Sequence, residues 1–426
     1  MRVAPRTILF LPACLCWFLT GCQWLSPPLT PETTYFKLLG GALNDVAYDI
    51  AFTGQGDFLI AGAEVNIITD EASQLPVEVS RAMLYRLTDA GTLVWQTEVP
   101  GKTAKAVRVQ GQEAAYVATD YITTKINGQN ITKVALSKVS LATGTVEWTK
   151  IYDENVSATF FPNDQIQQAI QLEIKGQEII IAATYNVNCQ SSASQLCQKA
   201  LFIYTDLSGN VLLSKVQRYG LDNYDNTIAR IRQQDNIIFW CGTTVVSGST
   251  PRIRVAGFRQ DNNTTPIFDI LTLGDPLKNE TGSDLQVGTD GNLYLIGSSN
   301  QDIFLARIDL QRDSQGNIIA WNKAWQKTIG GSGEDEGIAL FIAANGDLLV
   351  AGDISSTSQN EEIYVGRYSA GGTLLWEQTF GGRGNDHARL IQELPSGEIL
   401  LLGTFFFENN DMITLIRLTA DGSFIE

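Results

Sequence analysis

Three segments of the sequence align without a gap: residues 39–63 (LGGALNDVAYDIAFTGQGDFLIAGA), 329–353 (IGGSGEDEGIALFIAANGDLLVAGD) and 380–404 (FGGRGNDHARLIQELPSGEILLLGT). A chain that repeats itself over such distances is one structural unit used many times. Four weaker copies lie between the clear ones, and seven copies spaced by roughly 50 to 65 residues match one four-stranded propeller blade per copy.

Each copy has the same grammar. In the sixth, a glycine pair precedes a short apolar run (338–343), a turn at Asn345-Gly346, and a second run (348–351) that closes at Gly352. Turns of the Asn-Gly or Asp-Gly type between short β-rich runs mark hairpins. Equivalent turns stand at Asp290-Gly291, Ser396-Gly397 and Lys175-Gly176. A third strand follows, IYVGRY at 363–368, with counterparts MLYRL, ALSKV, LFIYT, RVAGF, IFLARI and ITLIRL; a further glycine turn leads to a fourth, as in Gly372 to Trp376.

The seventh copy stops at DGSFIE (421–426), where its fourth strand is due, while TYFKL (34–38) stands directly before the first glycine pair. Tyr35 precedes Gly40 by the same interval that separates Trp325 from Gly330 and Trp376 from Gly381. The expectation is an all-β, seven-bladed β-propeller over residues 34–426, closed by its N-terminal strand so that no sheet edge is left open.

The first residues, MRVAPRTILFLPACLCWFLTGC, place Arg2 and Arg6 ahead of an apolar run at 8–19. That is the charge order and length of a secretory signal, too short for a comfortable membrane span. Leu19-Thr20-Gly21-Cys22 resembles the bacterial lipobox. The resemblance implies a lipoprotein signal peptide over 1–21, a mature chain starting at lipidated Cys22, and a linker to residue 33. Several acyl chains, at about 0.8 kcal/mol per buried methylene, would make a permanent membrane anchor. Gln23 in place of an aspartate implies, by the same resemblance, the outer membrane, on its periplasmic or surface face, and Trp24 suits the membrane interface.

Export changes the reading of the six cysteines. Cys14 and Cys16 leave with the signal, and Cys189 and Cys197 bracket the polar stretch QSSASQL. In an oxidising envelope a disulfide is expected there, stabilising by roughly 2 to 3 kcal/mol through loop entropy. Cys241, in IIFWCG, takes the place of Ala61 and Ala351 in other copies and is expected to be a small core residue.

Thirty basic against 46 acidic residues, a net charge of -16, argue against a nucleic-acid partner, which needs a basic face. Asp45, Asp225, Asp335 and Asp386 each fall five residues after a glycine that starts a copy, and Glu280 takes that place in the fifth. In a propeller this loop joins one blade to the innermost strand of the next. The carboxylates could therefore gather at the channel mouth as a ring for a calcium ion or a basic ligand group. The competing reading is a structural one, in which each carboxylate accepts hydrogen bonds from its own turn amides.

Long second-to-third-strand loops in copies one to three (63–79, 119–131 and 184–198) predict a rim on one side of the ring. Trp95, Trp148, Trp325 and Trp376 recur once per copy. A repeated aromatic of this kind suits packing between blades better than a sugar platform.

The string GG-x-G-x-D, an apolar run, a glycine turn and a second run ending in glycine resembles the bacterial SBBP-type β-propeller repeat. The fourth strands, with Gly91/Trp95, Gly144/Trp148 and Gly372/Trp376, resemble the quinoprotein-type repeat. Both resemblances imply a propeller, and neither fixes a ligand. Phosphate-cradling G-x-x-x-x-G-K is absent, and the single histidine, His387, would have to anchor any histidine-based catalytic or metal site alone. The expected function is a lipid-anchored, non-catalytic binding or protein-assembly scaffold of the cell envelope, with a protein or glycan partner and no cofactor. The alternatives are an exported enzyme, polysaccharide-active or quinone-dependent, or a surface adhesin.

Overall fold

The second apolar run of each copy is apolar at consecutive positions, FLIAGA at 58–63 and LLVAG at 348–352. A strand with one solvated face would alternate, so such runs require burial on both faces. The computed structural model provides it. It describes residues 36–425 apart from 41–42, 55, 70–74, 124–130, 153–164, 190–191, 220–223, 247–249, 261–265, 271–272, 276, 332 and 356–359.

Seven four-stranded antiparallel sheets stand in a ring, a seven-bladed β-propeller. The innermost strands are Val46–Phe52, Thr103–Gln110, Gln165–Lys175, Tyr224–Gln234, Glu280–Val287, Glu336–Ile342 and His387–Glu393, in blades one to seven. Six blades take their strands in sequence order. In the seventh, the outermost strand is Phe36–Leu39 from the other end of the chain, paired with Asn410–Leu418 so that Phe36 lies opposite Ile416 and Leu39 opposite Ile413. Phe36 packs edge-on against Phe405 at 5.3 Å. Tyr35 and the segment carrying Cys22 lie outside the described residues.

The apolar core is divided among the blade boundaries. Leu59 and Ala61 of blade one pack toward blade two, while Phe58 and Ile60 of the same strand pack toward blade seven. Alternate side chains of one strand thus serve two different cores.

The recurrent tryptophans hold the outer strands to the next blade. Trp95 Nε1 donates to the Leu141 carbonyl at 2.9 Å, Trp325 to Ala370 at 3.2 Å and Trp376 to Ala420 at 3.2 Å. Each indole also covers a turn glycine of that blade: a Cβ on Gly422, where φ is +83°, would fall 2.7 Å from the Trp376 ring.

The stretches expected as long loops in blades one to three are β-ribbons instead. Phe58–Thr69 and Pro76–Leu87 stay paired out to Thr69 opposite Pro76. Ala114–Thr123 with Ile131–Ser140, and Glu178–Cys189 with Ser192–Asp206, extend similarly. Their β-branched residues, such as Val65, Ile67, Ile68, Val77 and Val79, favour the extended chain over a loop.

Candidate functional site

The carboxylates of the repeat motif are the first candidates, and the structure seals them within the joints between blades. Asp45 and Asp386 are fully enclosed, Asp335 and Glu280 are buried, and Asp225 is half-buried. Asp335 Oδ2 accepts the Gly331 amide at 2.8 Å and Oδ1 the Ser355 amide at 2.8 Å. Asp386 repeats this with Gly382 at 2.6 Å and Phe406 at 2.8 Å. Asp45 Oδ1 takes the Val65 amide at 3.0 Å. Glu280 Oε1 takes the Asp275 amide at 2.8 Å and the Ser299 hydroxyl at 3.0 Å, and Asp225 accepts the Gln198 amide at 2.9 Å.

The motif residue's own amide points the other way. It donates to Asp411, Gln301 and Glu361 of the preceding blade from Asp45, Asp335 and Asp386, at 2.7 to 2.9 Å. One residue therefore closes its own blade through the side chain and grips its neighbour through the backbone. The leading glycine of the motif is a steric consequence. Gly40 and Gly330 have φ of +133° and +151°, and a Cβ there would lie 2.1 and 2.2 Å from the folded-back carboxylates of Asp45 and Asp335. The geometry favours the structural reading over an open ring at a channel mouth: the carboxylates lie in the joints and accept backbone amides. Among the described residues no three acidic, histidine or cysteine side chains come together as metal ligands.

A second set of polar groups lies further along the inner strands. Every innermost strand carries a one-residue bulge at one register, between Ala47 and Asp49 in blade one, Gly282 and Asp284 in blade five, and equivalently in the others. The residue after the bulge reaches the next blade in alternate blades. Asp49 Oδ2 accepts the Val107 amide at 3.0 Å, Gln171 Oε1 the Ile231 amide at 2.7 Å, and Asp284 Oδ2 the Leu340 amide at 3.1 Å. Blades two and six use a second-strand aspartate instead: Asp120 accepts from Ala169 and Asp353 from Ala388, both at 2.7 Å.

Of these acceptors, Asp49 and Asp284 border a central cavity of about 460 Å³. One wall is charged. Arg108 bridges Asp49 at 2.6 Å and Glu173 at 3.1 Å, and Arg232 donates to Gln286 and Asp284, each at 3.1 Å. Burial works against the Arg108 charge, but Asp49 and Glu173 outweigh it and hold the guanidinium above its ordinary range. Burial instead pushes Arg232 down, and neighbouring Arg230 adds to that fall against the pull of Asp284. The opposite wall is apolar, formed by Ile50, Phe52, Leu340, Phe341, Leu390 and Ile391. Phe52, Phe341 and Gln392 also line a wider hollow of about 730 Å³ that includes Gly54, Asp89 and Ser396. The channel is therefore charged midway along the inner strands and widens at the end carrying the first hairpin turns.

His387 Nδ1 lies 2.8 Å from Asp353 Oδ2 and Nε2 lies 3.6 Å from Glu361. The hydrogen bond to Asp353 raises its pKa, with burial opposing. Cys241 is fully buried, and burial pushes its thiol up and keeps it protonated. Cys197 is buried, opposite Val187, while the side chain of Cys189 lies outside the described residues.

Arg108, Glu173, Arg230, Arg232, Asp49 and Asp284 were not among the sequence candidates. For Arg108, Arg230, Arg232 and Asp49 the signal was charge inside apolar strand patterns, TAKAVRVQ, TIARIRQQ and VAYDIAF. No single copy shows that these charges meet.

No protein-family model and no curated protein matches the sequence. Solved structures with similar form include YCF48 bound to D1 peptide, with TM-score 0.49 and 11% identity over 93% of this chain and 99% of that one. The Hadza microbial sialidase Hz136 gives TM-score 0.42 and 10% identity, covering 80% and 73%. A puromycin hydrolase S511A mutant complexed with PGG gives TM-score 0.46 and 12% identity, covering 88% of this chain and 52% of that one. At such identities the likeness concerns form alone.

Proposed function

We propose that the chain is a non-catalytic binding or assembly scaffold of the bacterial envelope, an SBBP-type lipoprotein tethered through Cys22, that engages a protein or glycan partner with the ribbons of blades one to three. The observation that carries this reading is the blade-one ribbon. Residues 64–69 and 76–81 pair with each other beyond the reach of the first and fourth strands. Ile67 and Leu75 are 57% and 62% exposed, and Ile68, Val77 and Ile122 of the neighbouring ribbon are exposed too. Apolar side chains displayed on a ribbon that pairs with no third strand among the described residues suit strand addition or burial by a partner. A groove of about 460 Å³ between the two ribbons, bordered by Glu78, Lys102 and Tyr121, adds polar handles.

Crosslinking and capture from native membranes tests the reading, with the wild-type chain compared with one in which residues 66–78 are replaced by Asn-Gly. The scaffold role predicts a partner set lost on ribbon trimming while the fold is retained. Turnover on a glycan panel, or quinone absorbance retained on the purified protein, would favour the exported enzyme instead. Protease shaving of intact cells separates a periplasmic scaffold from a surface adhesin. Palmitate labelling abolished by Cys22→Ala tests the anchor, and a non-reducing peptide map tests the Cys189–Cys197 disulfide.

A further inference from the structure

The cations of the central cavity are unevenly matched. Arg108 has two carboxylates, Asp49 and Glu173, whereas Arg230 and Arg232 share Asp284. Arg230 is the odd member of the set. Its Nε stands 3.1 Å from Asp284 Oδ1 but out of line for a hydrogen bond, and its side chain, 14% exposed, makes no hydrogen bond to any described residue. Asp284 is already occupied by the Leu285 and Leu340 amides and by Arg232. Arg230 borders the cavity, and its Nη donors can take an incoming oxyanion there. Facing it across the cavity are Phe52, Leu340, Phe341 and Leu390.

We propose that the central cavity binds a small amphipathic carboxylate, its head on Arg230 and its apolar tail along the wall of blades six, seven and one. The charged lining balances as a whole, three guanidinium groups against Asp49, Glu173 and Asp284, but at Asp284 two guanidinium groups meet one carboxylate, an end of the wall that suits a singly charged head. A doubly charged phosphate would overshoot beside Glu173. The volume falls within the range of small-molecule sites, and mixed polar and apolar walls are their usual lining. This site is separate from the ribbon surface, so partner capture and small-anion binding can each fail without the other.

The test titrates the full-length protein in lipid nanodiscs, by calorimetry against empty nanodiscs, with octanoate, octanol and octyl phosphate. Octanoate should bind at one per chain, about tenfold tighter than either analogue, and should weaken in high salt. Arg230→Gln should lower octanoate affinity about tenfold. Should that variant fail to fold, the wild-type preference for octanoate over octanol and its salt dependence decide the matter. Absence of saturable octanoate binding, equal affinity for octanol, tighter binding of octyl phosphate, or unchanged affinity in a folded Arg230→Gln protein would overturn the proposal.

Discussion

Asp49 Oδ2 accepts the amide hydrogen of Val107 at 3.0 Å across the boundary between the first two blades, and the same oxygen lies 2.6 Å from Arg108. One buried atom therefore holds a backbone group and a guanidinium of the next blade. Asp49→Ala leaves both without that partner and should destabilise the protein by about 3 kcal/mol, read from urea denaturation midpoints. A cost below about 0.5 kcal/mol would mean that the inter-blade acceptors are dispensable.

The Trp376–Gly422 joint tests the outer boundary. Gly422→Ala places a methyl at positive φ and against the indole, so it should cost about 1 to 2 kcal/mol. Trp376→Ala removes the ring and should cost about 3 kcal/mol. The double variant should cost less than the sum, because the methyl then enters vacated space. Strict additivity in a double-mutant cycle would show that the two residues do not share the contact.

Stability should fall as pH rises from about 4 to 8, and three groups give the sign. Burial lifts Asp386 to about 6, over the opposition of the Phe406 and Gly382 amides. Its folded form holds the proton more tightly, so its contribution is present below the ordinary carboxylate value and is lost as pH passes about 6. His387 is raised by the Asp353 hydrogen bond, with burial and Arg389 opposing and Glu361 assisting. Its contribution is complete below the ordinary histidine value and is lost as pH rises through the folded value. Glu336, raised by burial and by Asp353, runs in the same direction. His387→Gln should flatten the upper part of the stability curve and Asp386→Asn the lower part; parallel curves for wild type and both variants would contradict the assignment.

Calcium and magnesium should leave the melting temperature unchanged if the motif carboxylates act only as amide acceptors. Asp335 and Asp386 already accept two amides each. A saturable calorimetric signal lost in Asp335→Asn would restore a cation site at the joint.

Ring closure rests on Phe36–Leu39. Removing residues 34–39 bares the edge of Asn410–Leu418 and should produce oligomers or an unfolded chain by light scattering. A truncated monomer with an unchanged melting temperature would argue against the closure.

The legible part of the fold is what the inter-blade joint repeats. Asp45, Asp335 and Asp386 with their glycines stood out because every such joint solves one steric and hydrogen-bonding problem in one way. The same residues left a binding ring open beside the structural reading, because a repeated carboxylate looks alike whether it faces solvent or an amide. Arg108 and Arg230 stayed hidden for another reason. Which inner-strand side chains meet in the channel is decided by bulges after Ala47, Ala104 and Ile228, and a bulge leaves no fixed residue type in a sequence. The ribbons were read as loops because polar residues such as Asn66, Glu78 and Ser80 mask their β-branched neighbours.

The position of Phe36–Leu39 also sets how the molecule answers force. Among the described residues, a pull from the N-terminal side enters the propeller at Phe36, on a strand that is joined along the chain to blade one but paired in the sheet of blade seven. Tension there loads the four residue pairs from Phe36–Ile416 to Leu39–Ile413 before it reaches any other blade. The latch that completes the ring is therefore also its mechanical fuse, and a tethered molecule under drag would open at its seventh blade first.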